Sequence, residues 1–329
     1  MDSLRTGVSP ERNLTMTTLT PQALEAALSG DAEELGIHLE LVDRDIEIEG
    51  RGVRVHCHCL KLDGNGRIGI PRLIEYMRDS VVDYAIPRSK MAQARAHDQA
   101  HNTSRAVMGL FHEAKETFSD LMNTGEGGEL LLFLLAERFL ELPQILCKMH
   151  LKTNPRMHYH GSDAVHAGLT EDGLLKLYWG ESKMYGNATD AVRECLSSLA
   201  PFLTEEDNEG AAQTRDLVLL SDRADLNDPE VNTALQRYFD RSSPLSKRVR
   251  YCGVALIAFD APFYPTAQAS VVAEEMIEQA RQELARVVDN VANRLDVEKL
   301  ADFEIQFLCL PLPSVEDFRR RFREALGKA

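Results

Sequence analysis

The run Glu129-Leu130-Leu131-Leu132-Phe133-Leu134-Leu135-Ala136, opened by Gly127-Gly128, constrains the fold of this chain more than any other stretch. A helix that is apolar on nearly every face leaves no stripe for water and has to lie inside the protein. Glu137 and Arg138 interrupt the run at once, well short of the roughly 18 apolar residues that would cross a bilayer. The chain therefore needs a core thick enough to enclose a helix. With 329 residues, 44% of them hydrophobic, it suits one large domain, or a core of roughly 200 residues with an added subdomain. That composition excludes a disordered chain. Residues 1–18 are polar, with no apolar run of the signal-peptide kind, and read as a flexible tail. The expected compartment is the cytoplasm.

Strand and helix signals surround that run. Thr20-Pro21 opens a short helix, with Thr20 as N-cap and Pro21 in the first turn. Strand-like runs over 37–49 and 52–61 are joined through Gly50-Arg51-Gly52. A helix around Leu73 to Tyr84, closed by Pro87, precedes a long polar helical region from about Lys90 to Met122. Residues 19–100 read as an accessory α/β subdomain, a possible docking surface for a partner, and 101–329 as the core. In the core, a short strand over 160–169 turns at Glu171-Asp172-Gly173 into a longer apolar strand, Leu174 to Tyr185. Asn187 caps a helix from Ala188 to about Leu199, closed by Pro201, and another helix lies near 229–239. Buried strands at Tyr251–Phe259 and Phe303–Leu310 are flanked by helices near 271–295 and 315–326. This order predicts a mixed α/β fold, a central sheet covered by helices.

The six cysteines suggest a reduced interior rather than a disulfide framework. In Val53-Arg54-Val55-His56-Cys57-His58-Cys59, strand alternation puts Val53, Val55, Cys57 and Cys59 on the inner face, with Arg54, His56 and His58 outward. No CxxC pair completes a zinc site, so Cys57 and Cys59 read as small core residues. The net charge of −15 opposes long-range attraction to nucleic acid, but a binding groove is local, and a cation or a basic partner can supply the missing charge.

The chemistry concentrates in Trp179-Gly180-Glu181-Ser182-Lys183. In a strand Glu181 and Lys183 share a face while Ser182 points away, and the preceding strand can bring Asp163 alongside. Burying two carboxylates and an ammonium costs several kcal/mol, on the order of what only a functional site tolerates. Asp163, Glu181 and the backbone carbonyl of Ser182 suit Mg²⁺, with Mn²⁺ as a substitute, because a hard cation takes oxygen ligands and substrate phosphate together. Such a cation polarises a phosphodiester and activates water. Lys183 would orient that water or neutralise developing charge, since two carboxylates beside it oppose a role as simple base. The bland alternatives are an exposed i, i+2 ion pair for Glu181 and Lys183, and a turn residue for Asp163.

Asp163 followed by Glu181-x-Lys183 resembles the signature of the PD-(D/E)xK nucleases, with Ser162 at the motif's proline. The wider segments GGELLLFLLAERFLELPQILCKMHLKT, HGSDAVHAG and LYWGESKMYG resemble the HamA family, the nuclease component of the Hachiman anti-phage system. The resemblance is close over about 125–200. It implies a restriction-endonuclease-like core and a DNA nuclease acting with a helicase subunit, HamB. It also implies that Asp163 and Glu181 hold the metal, that Lys183 completes the site, and that Glu129 is the extra acidic residue beside it. Glu129 has a second explanation, since a carboxylate in the first turn of a helix is favoured by the helix dipole.

Lys148, Lys152 and Arg156 could follow phosphates near the site or form a solvated loop. His160 and His166 are weaker candidates for substrate contact, His166 alternating away from Asp163. No recognition helix or zinc finger is evident, so strong base specificity is not expected. A catalytically silent adaptor for a helicase, and a general repair or restriction nuclease, are the alternatives.

Overall fold

The computed structural model describes residues 18–119, 125–151, 161–205, 210–266 and 272–328. A six-stranded sheet runs in the order β1 (Leu39–Glu47), β2 (Val53–Leu60), β6 (Ile305–Leu312), β5 (Val249–Asp260), β4 (Leu175–Tyr185), β3 (Ala164–Leu169). Strands β2, β6, β5 and β4 are mutually parallel, while β1 and β3 add antiparallel partners at the two edges. The helices are α1 (Pro21–Glu25), α2 (Ala32–His38), α3 (Ile70–Asp79), α4 (Val81–Ala85), α5 (Arg88–His101), α6 (Arg105–Thr117) and α7 (Glu126–Arg138). They continue with α8 (Ala188–Thr204), α9 (Thr214–Arg223), α10 (Pro229–Gln236), α11 (Ala273–Val297) and α12 (Val315–Ala325). The expected mixed sheet covered by helices is the architecture found.

The apolar run forms α7, and every residue from Leu130 to Ala136 is 1% exposed or less. One side of α7 packs on β3, β4 and β5, and α2 and α4 cover the other. The opposite face of the sheet carries α8 and, packed on α8, β1 and β2, α11. Strand alternation sorts β4 between these layers. Trp179 faces α8, its ring 5.5 Å from Phe202. Gly180 faces α7 so closely that a Cβ there would lie 3.1 Å from Leu132 Cδ2.

Several expectations need correction. Within residues 19–100, read as an accessory subdomain, β2 pairs over Val53–Cys57 with β6, so the hairpin of β1 and β2 extends the central sheet. The polar region after Lys90 is two helices, broken at Asn102, which adopts the left-handed conformation (φ 50°). The Asp98 carboxylate then accepts from Ala106 N (3.0 Å) and Val107 N (2.9 Å), satisfying orphan donors at the start of α6. The helix expected around Leu73 to Tyr84 divides at Ser80 into α3 and α4. Pro201 does not end α8, which continues to Thr204 because burial of Phe202 and Leu203 offsets the one hydrogen bond the proline removes. His56 and His58 are buried rather than outward, their rings edge-on to Phe139 at 5.3 and 4.5 Å. Phe139, the residue that ends α7, covers that face of β2, and burial drives the His58 pKa down to about 3. Cys57 and Cys59 are buried core residues, as expected, and all six cysteines are free.

The tail over residues 1–17, and Lys152, Arg156 and His160, lie outside the described residues. Among the described residues no helix is long and apolar enough to cross a membrane.

Candidate active site

The β3–β4 hairpin sets Ala164 opposite Gly180, which brings Asp163 beside Glu181. Asp163 N donates to Gly180 O (2.9 Å). Its carboxylate Oδ2 then accepts from Ser182 N (2.8 Å) and Ser182 Oγ (3.1 Å), continuing the ladder where β3 has no residue left to pair. Glu181 and Lys183 share the α8 face of β4, and Lys183 Nζ donates to Glu181 Oε2 at 3.0 Å. Ser182 turns to the other face, as expected: a Cβ on Gly128 of α7 would lie 3.3 Å from its Oγ.

These charges are not evenly matched. Glu181 is 4% exposed, and burial, followed by the neighbouring Asp163 carboxylate, pushes its pKa up to about 8 against the pull of Lys183. Burial opposes the Lys183 ammonium as well, but Glu181 and Asp163 outweigh it and hold that pKa above the usual lysine range. The site thus favours a protonated Lys183 and opposes an ionised Glu181.

Glu129 lies in the first turn of α7 and accepts from the Tyr84 hydroxyl at 3.0 Å. Tyr84 is buried, and its pKa rises well above the usual tyrosine value through burial and then through the charges of Glu129 and Asp163. Both carboxylates therefore bear on one hydroxyl, which places the start of α7 close to the Asp163 end of the hairpin. Beside it, Glu126 is buried and accepts from Ser119 N at 2.7 Å. Among the described residues no three His, Cys, Asp or Glu side chains close into a metal cage. Two carboxylates and an open backbone carbonyl are instead a donor set for a hard cation that keeps water ligands.

Lys148 is buried rather than spread on a phosphate-facing surface. Its ammonium pairs with Asp216 of α9 (2.6 Å) and donates to Ser162 O and Ser162 Oγ. Asp216 also accepts from Ser162 Oγ (3.2 Å). This knot fixes the residue before Asp163 to α9, and the Lys148 charge also works to lower the Glu181 pKa. His166 is fully buried, with Nδ1 2.7 Å from Leu142 O, so it belongs to the core. Sequence reasoning passed over Asp216 and Tyr84 as site residues, and met Ser162 only as the residue at the motif's proline. Only Asp216 left a signal, a carboxylate directly before the apolar run Leu217-Val218-Leu219-Leu220.

No curated protein matches the sequence. The profile of the HamA family matches residues 36–326, taking in all six strands and every residue of the site above, and the chain therefore belongs to the HamA family.

Proposed function

We propose that this chain is a Mg²⁺-dependent DNA nuclease, the effector of a cytoplasmic anti-phage complex with a helicase subunit. Membership of the HamA family makes it a component of the Hachiman defence system. The nuclease reading is carried by one observation: Asp163, Glu181 and Lys183 converge on the stretch of β4 that extends past the end of β3.

Asp163 and Glu181 would hold the cation, with the Ser182 carbonyl as a third oxygen donor. The donor set fits, because Glu181 is a buried carboxylate raised by burial and by Asp163, and such a pair is relieved by a divalent positive charge. When bound, Mg²⁺ polarises the phosphodiester and lowers the pKa of water; Mn²⁺ can substitute. Glu181 would be ionised in that ligand role. Lys183, protonated and 3.0 Å from Glu181, stabilises negative charge that accumulates on the phosphate during attack. Asp163 is held in place by two donors from Ser182, so its carboxylate is oriented before substrate arrives. Glu129 adds negative charge at the same end of the hairpin.

The test is incubation of the full chain with supercoiled plasmid, in Mg²⁺ or EDTA, with and without the helicase subunit, beside Lys183→Ala. Nicking or linearisation that needs Mg²⁺ and disappears in the variant is the expected result. If the folded chain binds the helicase and cuts in neither arm, the protein is an adaptor instead.

A further inference from the structure

Peptide groups along a strand point alternately to the two neighbouring strands. On β4 the even-numbered residues point toward β3, as Gly180 O does in accepting from Asp163 N. Because β3 starts opposite Gly180, the peptide groups of Ser182 and Met184 emerge on an edge with no strand beside it among the described residues. Two side chains bracket that edge. At one end Asp163 Oδ2 takes Ser182 N, and at the other Arg319 Nη2 of α12 donates to Met184 O at 2.7 Å. Ser182 O lies between them, about 7 Å from Met184 O at the usual strand rise.

Arg319 differs from its neighbours on α12. Arg320 pairs with Asp317 and Glu324, and Arg321 pairs with Asp317. Arg319 makes no ion pair among the described residues, and its buried Nε has no hydrogen-bond partner there. Tyr185 and Asp260 act on it through space, Asp260 Oδ1 itself accepting from Val315 N (2.6 Å) at the start of α12. Burial lowers the Arg319 pKa, yet a guanidinium remains charged in proteins. Among the described residues this half-buried cation is fastened by one neutral carbonyl and has no carboxylate bonded to it directly. The planar fork of a guanidinium matches the two non-bridging oxygens of a phosphodiester.

We propose that Arg319 binds a phosphate of the DNA strand lying along the free edge of β4, next to the phosphodiester to be cut. This rests on the nuclease reading above. The arrangement assigns positions along one edge, with the carboxylates and the Ser182 carbonyl at the cleaved phosphodiester and Arg319 at an adjacent phosphate. The strand is thereby fixed in register before reaction, and a backbone phosphate contact carries no sequence preference.

The experiment compares the full-length wild type with Arg319→Gln, Arg319→Lys and, as control on the same helix, Arg321→Gln. Binding of a short labelled DNA is followed by fluorescence anisotropy in EDTA from 50 to 200 mM salt, and cleavage is followed in Mg²⁺ with and without the helicase subunit. Glutamine can still donate to Met184 O but carries no charge. Arg319→Gln should weaken binding about tenfold and lower the slope of log affinity against log salt by about one, while Arg321→Gln leaves both unchanged. Arg319→Lys should keep the slope and still cut more slowly, because the fork is lost. A change of fold alone would not alter the salt slope, and melting curves identify it; should Arg319→Gln fail to fold, the lysine variant decides. Wild-type slope in Arg319→Gln, or wild-type cleavage in Arg319→Lys, overturns the proposal and leaves the nuclease reading intact. If the wild type binds with the predicted dependence on Arg319 but never cuts, the phosphate site stands and the catalytic reading falls. If the wild type neither binds nor cuts, both fall.

Discussion

The two ends of α7 hold buried carboxylates in opposite circumstances. At its C-terminal end, Glu137 has a fully buried side chain and is saturated with donors. It accepts from Ser29 N (2.7 Å), Ser29 Oγ (2.6 Å), Gln144 N (2.6 Å) and the Arg88 guanidinium. Next to it, Arg138 donates to Tyr76 Oη and Ser29 O and pairs with Asp83. Near the N-terminal end, Glu181 has the Lys183 ammonium as its hydrogen-bond donor and the Asp163 carboxylate as a neighbour, and its pKa rises to about 8. The first cluster locks the α1–α2 connection to the core. The second sets two carboxylates against one hydrogen-bonded ammonium, and Glu181 holds a proton more tightly instead of gathering donors. Burial alone does not mark a functional carboxylate; missing compensation does.

The comparison predicts different losses at the two ends. Glu137→Ala should be the most damaging change, about 3–5 kcal/mol in a urea melt, because it strands Arg88 and three other donors in the interior. An unaltered melt would mean that the network relaxes and that Glu137 is no keystone. Lys183→Ala should leave the melt nearly unchanged and slow plasmid cleavage about 10²–10³-fold, the usual cost of deleting one charge-stabilising donor. A large loss of stability there, with cleavage intact, would reverse the roles of the two clusters.

The contrast was only half legible in the sequence. Glu181 and Lys183 could be paired because strand alternation is strict, and α7 could be buried because its apolar run has no polar face. The hairpin that delivers Asp163 followed from the Asp172-Gly173 turn. What failed depended on contacts remote in sequence. The pairing of β2 with β6 joins residues about 250 positions apart, so no local signal could report it. Lys148 read as a surface cation because its partner Asp216 lies on α9, a helix not read from the sequence at all. His56 and His58 read as outward because alternation reports a second face without saying what covers it.

The pH dependence sharpens the comparison further. Glu181 binds its proton more tightly in the folded chain, with a pKa of about 8, than at its ordinary value of 4.5. Its contribution therefore favours folding below about pH 4.5 and is lost as pH rises toward 8. Glu181→Gln keeps the shape and removes this penalty, so it should stabilise the fold by on the order of a few kcal/mol at pH 8 and much less at pH 5. Melting curves at the two pH values read the difference directly, with an equal gain at both counting against an elevated Glu181 pKa.

The smallest effects come from a matched pair of hydroxyl deletions. Ser29 and Ser182 make the same motif: each gives a backbone N–H and an Oγ–H to a single carboxylate oxygen, Glu137 Oε2 and Asp163 Oδ2 respectively. Ser29→Ala removes one bond from a saturated, closed cluster and should cost about 1 kcal/mol of stability with no change in cleavage. Ser182→Ala removes one bond from a carboxylate proposed to take a metal. There the lost orientation should appear as about a tenfold higher Mg²⁺ requirement, since outer partners of ligating carboxylates tune affinity on that scale. The backbone donor remains in both variants, so neither carboxylate is released outright. Mg²⁺ titration of cleavage beside urea melts of both proteins separates the outcomes. If the two serines behave alike, in stability or in metal dependence, the division of α7 into a structural and a functional end fails.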